Sequence, residues 1–187
     1  MIIPIQELRD KRVDRILLRR GYPDANIFYS PIGAWLPLFI ALIGTALISY
    51  GFIVMFWSPW LLLLVSYFFI AYLTNAWHCC CFALVEGKCC VINPNWPFRK
   101  FEVIAFNDIE SVTIDEQHSG WKSFFTLFSS NYIEITTATG KERFYCTYLQ
   151  LDAFDENFTK QTIEDFQSAL ERAGIPVQMN LEYKDPF

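Results

Sequence analysis

The sequence predicts an α+β membrane protein, in which two apolar helices precede a strand-rich domain closed by a final helix. Three observations carry that class. No Asp, Glu, Lys or Arg occurs between Asp24 and Glu86, and this gap holds two apolar segments, residues 36–57 and 60–77, hinged at Ser58-Pro59. Beyond Trp77 the apolar residues recur at every second position in short runs, the period of half-buried strands. From Asp152 to Ala173 the spacing lengthens to that of an amphipathic helix.

Taken in chain order, residues 1–22 read as a basic amphipathic helix. Ile5, Leu8, Val13, Ile16 and Leu17 tend to one side, Arg9 and Arg12 interrupt it, and Gly21 and Pro23 end it. Two placements fit this stripe: at the headgroup level of a bilayer, with Arg12, Arg15, Arg19 and Arg20 facing anionic lipid, or packed on the following domain.

The next region, residues 33–78, is expected to form a two-helix transmembrane hairpin. Crossing a bilayer takes about 20 mostly apolar residues, and a charge at mid-span costs roughly 2.5–3.5 kcal/mol. Neither segment carries one. Trp35 and Trp77 mark the outer ends of the pair and Trp57 and Trp60 its turn, positions suited to the two bilayer interfaces. Ala41, Gly44, Thr45 and Gly51 put small side chains along one face of the first helix, which allows close approach of a second. The absence of ionisable groups from both segments argues against a transporter or channel.

Arg9, Lys11, Arg12, Arg15, Arg19 and Arg20 precede the first segment, whereas the Ser58-Pro59 turn is uncharged. The positive-inside rule then places the N-terminus in the cytoplasm, and two crossings return the C-terminal region there. The expected location is a bacterial inner membrane with both termini cytoplasmic. The net charge of −5 and the acidic balance after Ile104 exclude nucleic acid as an expected partner.

Residues 79–176 form the expected soluble domain, with residues 177–187 as a tail. Phe82 to Glu86 and Cys89 to Ile92 flank a turn at Gly87-Lys88, Arg99 to Phe106 alternates, and Ile109 to Ile114 follows Asn107-Asp108. Asn131 to Thr137 and Glu142 to Tyr148 form a second hairpin around Ala138 to Lys141. Phe154, Phe158, Ile163, Phe166 and Leu170 line one face of the closing helix, which stops at Gly174 before Pro176.

This order resembles the bacterial pleckstrin-homology-like domains that follow a two-helix membrane hairpin. The resemblance is carried by Phe82-Ala-Leu-Val-Glu-Gly-Lys, by Ile104-Ala-Phe-Asn-Asp-Ile-Glu-Ser-Val, by Ile133-Glu-Ile-Thr-Thr-Ala-Thr-Gly-Lys and by the terminal helix. It implies a seven-stranded curved sheet or barrel capped by the C-terminal helix, and a binding or scaffolding module without catalysis. Phosphoinositide binding, known in eukaryotic relatives, departs from this pattern, because only Lys88, Arg99 and Lys100 are basic near the first strands.

Material for an active site is thin. There are two histidines and no Gly-rich phosphate loop, and Asp115, Glu116 and His118 read as the solvated start of a loop. Cys79, Cys80, Cys81, Cys89, Cys90 and Cys146 lack the two-to-four-residue ligand spacing of zinc sites and read as small buried hydrophobes in a reducing compartment. No metal or cofactor is expected. The apolar run from Trp121 to Phe128, with Phe124, Phe125 and Leu127, either meets a membrane or a protein partner or hides a further strand; Trp96, between Pro94 and Pro97, is assigned to a packed or interfacial turn.

The expected function is a non-enzymatic, membrane-anchored binding module acting as an assembly factor, accessory subunit or regulator of a membrane protein complex. Its partners are the lipid bilayer and another membrane protein, with self-association through the apolar helices as a further contact. The alternative is a membrane effector or toxin-immunity protein whose β-domain senses a ligand or toxin.

Overall fold

The computed structural model describes residues 11–28, 31–54, 59–116, 130–147 and 156–180. The chain begins with helix α1 (Lys11–Arg19), strand β1 (Asn26–Phe28) and two long helices, α2 (Pro31–Val54) and α3 (Pro59–Trp77). Strands β2 (Cys81–Val85), β3 (Lys88–Asn93) and β4 (Lys100–Ala105) follow, then a short 3₁₀ turn over Phe106–Asp108. Strands β5 (Ile109–Glu116), β6 (Ser130–Thr137) and β7 (Gly140–Thr147) precede helix α4 (Glu156–Arg172) and strand β8 (Val177–Met179).

The strands make two separate four-stranded sheets, ordered β1-β2-β3-β4 and β7-β6-β5-β8. In the first, every pair is antiparallel, and β1 reaches across the helix pair to set Phe28 opposite Phe82. The β2–β3 loop is Glu86-Gly87, one residue earlier than the spacing suggests. Both residues have positive φ, 24° and 77°, as a type I′ hairpin turn demands, and glycine meets that demand at the second position without steric cost. In the second sheet β8 runs parallel to β5, and its three residues were not visible in the sequence pattern.

Side-chain alternation sorts the first sheet into two buried faces. Cys81, Ala83, Cys90 and Ile92 pack under Val13 and Leu17 of α1. Phe28, Phe82, Cys89 and Val91 point the other way, into a core shared with Val112, Ile114, Ile133, Ile135 and Phe144 of the second sheet. Helix α4 adds Ile163, Phe166 and Leu170 to that core, and the Phe166 ring lies 5.2 Å from Phe28 and 5.3 Å from Phe82. The helix ends in a Schellman arrangement: Ile175 N–H donates to Leu170 C=O at 3.1 Å and Gly174 N–H to Glu171 C=O at 2.9 Å. The chain is thereby turned so that β8 runs alongside β5.

The expected seven-stranded barrel, and with it the resemblance to pleckstrin-homology-like membrane proteins, is corrected by this topology. β5 has β6 on one edge and β8 on the other, so its backbone groups are used and the ladder cannot continue to β4. Among the described residues, the β pairing outside the two sheets is an isolated bridge between Cys79 and Cys146. Otherwise side chains close the seam: Lys100 of β4 pairs with Glu142 of β7 and lies 4.6 Å from the Phe144 ring centroid.

The expected transmembrane hairpin is corrected to a narrower statement. α2 and α3 each hold an 18-residue stretch long and apolar enough to cross a membrane by length and composition, with 22% and 17% of those stretches buried. The helices pack antiparallel, Gly51 meeting Leu61 and Gly44 meeting Phe68. They are inserted between β1 and β2 of one sheet, so the strand region begins ahead of them.

Candidate functional site

The junction where α3 meets the first sheet is the most specifically built polar region outside the cores. Helix α3 ends at Trp77 with carbonyls that have no further helical turn to bind them. Asn93, at the end of β3, supplies the missing donor: its Nδ2 reaches the carbonyls of Ala76 at 2.9 Å and Trp77 at 3.2 Å. Its Oδ1 accepts the Asn95 backbone N–H at 3.0 Å, which folds the chain into the 94–99 loop. Arg12 of α1 then donates from Nη1 to Asn95 Oδ1 at 3.1 Å. One side-chain relay thus joins α1, the β3–β4 loop and the end of α3.

The same loop is held against the side of α3. Tyr72 donates its hydroxyl to the Trp96 carbonyl at 2.7 Å, and Phe98 stacks on Trp77 with ring centroids 5.5 Å apart. Trp96 itself stays 64% exposed and Trp77 55% exposed. An exposed indole fixed by its own backbone is a rigid apolar projection with a polar N–H.

Of the other residues singled out in the sequence, α1 is seated on the first sheet by Val13 and Leu17, so its apolar stripe is used within the protein. Arg15, Arg19 and Arg20 are exposed, and Arg20 lies 5.1 Å from the Phe101 ring centroid. Trp121, Phe124, Phe125, Leu127 and Phe128 lie outside the described residues, as does His118. Asp115 belongs to β5 and accepts the Tyr132 hydroxyl at 3.0 Å, so it is strand rather than loop.

Five of the six cysteines are buried and Cys80 is half-buried. Burial pushes the Cys80 and Cys89 thiols up to about 12, and Cys146 well above its ordinary value. Such thiols are poor nucleophiles and poor soft-metal ligands at neutral pH. Among the described residues no three His, Cys, Asp or Glu side chains converge as a metal site.

Sequence reasoning singled out Trp96 and did not single out Tyr72, Asn93 and Asn95, which hold its loop. Tyr72 reads as one more aromatic in an apolar helix, and Asn93 and Asn95 read as ordinary turn residues around Pro94. Comparison with protein-family models, with curated proteins and with solved structures gave no match.

Proposed function

We propose that this chain is an integral membrane protein of a bacterial inner membrane, with both termini cytoplasmic, whose two-sheet domain is a non-enzymatic binding module. It serves as an assembly factor, accessory subunit or regulator of a membrane protein complex. One observation carries the reading: α2 and α3 expose Phe39, Leu42, Ile53, Leu62, Leu63 and Phe69, while β1 before α2 and β2 after α3 pair in one sheet. Exposed apolar surface on this scale is stable only against lipid or another apolar surface. The basic stretch before the helices supports the cytoplasmic orientation.

The non-catalytic part of the reading is supported by how the described ionisable groups are used. Lys100 engages Glu102 and Glu142, Glu134 engages Arg143 and Lys141, and the thiols are held protonated. The partner surface proposed is the aromatic segment containing Trp121, Phe124, Phe125, Leu127 and Phe128. Affinity purification from the native membrane in mild detergent, followed by mass spectrometry, tests it. A stoichiometric membrane-protein partner is expected for the wild type and is lost in the triple variant F124S/F125S/F128S, whose circular dichroism stays unchanged. A wild type that purifies alone, or a triple variant that keeps the partner, contradicts the proposal.

A further inference from the structure

We infer that the 94–99 loop is an interfacial anchor that sets how deep the two-sheet domain sits against the bilayer, with the Trp96 indole lodged at the headgroup–acyl boundary. This rests on the membrane reading above and adds a specific contact to it. The partner is the lipid interface itself, and three features of the loop indicate it.

The first is depth. Tyr72 precedes Trp77 by five residues, so its hydroxyl holds the Trp96 carbonyl beside α3 about 7 Å in from the helix end, at 1.5 Å of rise per residue. The polar zone of one leaflet is roughly 5–8 Å thick. The Trp96 backbone is therefore held beside the last turns of α3, the end of the helix that the membrane reading places at a bilayer interface. That is the depth at which an indole is most favourably placed, its ring in the apolar zone and its N–H among polar groups.

Continuity is the second feature. Trp96 is exposed and is tied to α3, whose side chains Phe69 and Ile70 are themselves exposed, so loop and helix both present apolar surface. A loop evolved only to connect β3 to β4 has no need to point its largest side chain outward.

Rigidity is the third. The loop is pinned at Asn93 to the α3 carbonyls, at Trp96 to Tyr72 and at Phe98 to Trp77. Ordering of the loop is therefore complete before lipid is met, which lowers the entropy cost of binding. Arg12, bonded to Asn95, brings a guanidinium to the same level.

The test uses the full chain reconstituted in phosphatidylcholine–phosphatidylglycerol vesicles with acyl chains brominated at defined depths. Flotation at alkaline pH is read first, and a chain that does not float overturns the membrane reading and the anchor together. In a floating chain, tryptophan quenching is compared between wild type and W96F. Loss in W96F of a blue-shifted component quenched most strongly by the shallowest bromines is the expected result. Flotation with quenching by brominated lipid unchanged in W96F overturns the anchor alone, and so does a Trp96 component shielded from lipid by a second copy or a bound protein. The Y72F variant gives a second reading: with the pin removed, the shallow-bromine quenching of Trp96 is expected to weaken, whereas an unchanged profile contradicts the role given to Tyr72.

Discussion

Glu134 shows how much a single residue carries in the second sheet. It is 8% exposed on β6, accepts Arg143 Nε at 2.6 Å and faces Lys141 Nζ at 3.2 Å, both from the neighbouring strand. The Arg143 hydrogen bond holds its carboxyl below the ordinary value, against the opposing effect of burial. A depressed folded value means that the ion pair's stabilisation is complete above the unfolded glutamate range, near pH 4.5, and is lost as pH falls through the folded value. Denaturant midpoints measured from pH 2 to 7 are therefore expected to drop in this acidic window for the wild type, with a shallower drop for E134Q. Parallel curves would remove Glu134 from the account. At this scale the sequence was informative about type and less so about partner. The cysteines read as small side chains of the interior, and five of the six are buried. Glu134 and Asn93 carried no local mark, since their partners come from β7 and α3 across the fold.

At the scale of elements, close approach of α2 and α3 depends on Gly44. A Cβ built there would lie 2.9 Å from Phe68 Cγ and Cδ1 and 3.0 Å from its Cβ, nearer than real side chains come. Overpacking of this kind costs roughly 1–3 kcal/mol. G44L is expected to lower the thermal midpoint of the detergent-solubilised protein, while A41L, on the same small-residue stripe, serves to separate a contact at one site from a general effect of added bulk. An unchanged midpoint in G44L contradicts the packing. The two long helices, the β2–β3 and β6–β7 hairpins and α4 were legible because each has a period of its own over many residues. β1 and β8 were not. Each is three residues long, and each becomes a strand only because a sheet edge is available, at β2 for one and at β5 for the other. A local pattern of three residues cannot record that edge.

Across the whole molecule, the two sheets share one core, and along their edges they meet in a few specific contacts. At the Cys79–Cys146 bridge, Cys80 N–H donates to the Tyr145 carbonyl at 3.1 Å, which makes Cys79 and Cys146 the non-hydrogen-bonded kind of pair. In such a pair the Cα atoms are about 4.5 Å apart and the side chains close, within the range a disulfide can span. Diamide treatment is expected to link Cys79 to Cys146 slowly, since burial keeps Cys146 protonated, and the linked form is expected to be more stable by about 4 kcal/mol for a loop of this length. Peptide mapping without reductant reads the link, and C79S and C146S controls should abolish it; a treated wild type with no such peptide places the two residues further apart than the bridge implies. The barrel expectation failed at this same scale. The expected single seven-stranded sheet is instead eight strands in two sheets, because β8 takes the edge of β5 that β4 would have needed.

The position of α2 and α3 between β1 and β2 also dictates an order of events during synthesis. β1 leaves the ribosome before either apolar helix, yet its partner register, Asn26 with Leu84 through Phe28 with Phe82, lies on the far side of both. At roughly 5–20 residues per second, the intervening chain takes several seconds to emerge. During that interval β1 has no edge to join and α1 has no sheet to cover. Completion of the first sheet thus follows the emergence of both helices, and the strand-rich region assembles only after its two apolar segments have been made.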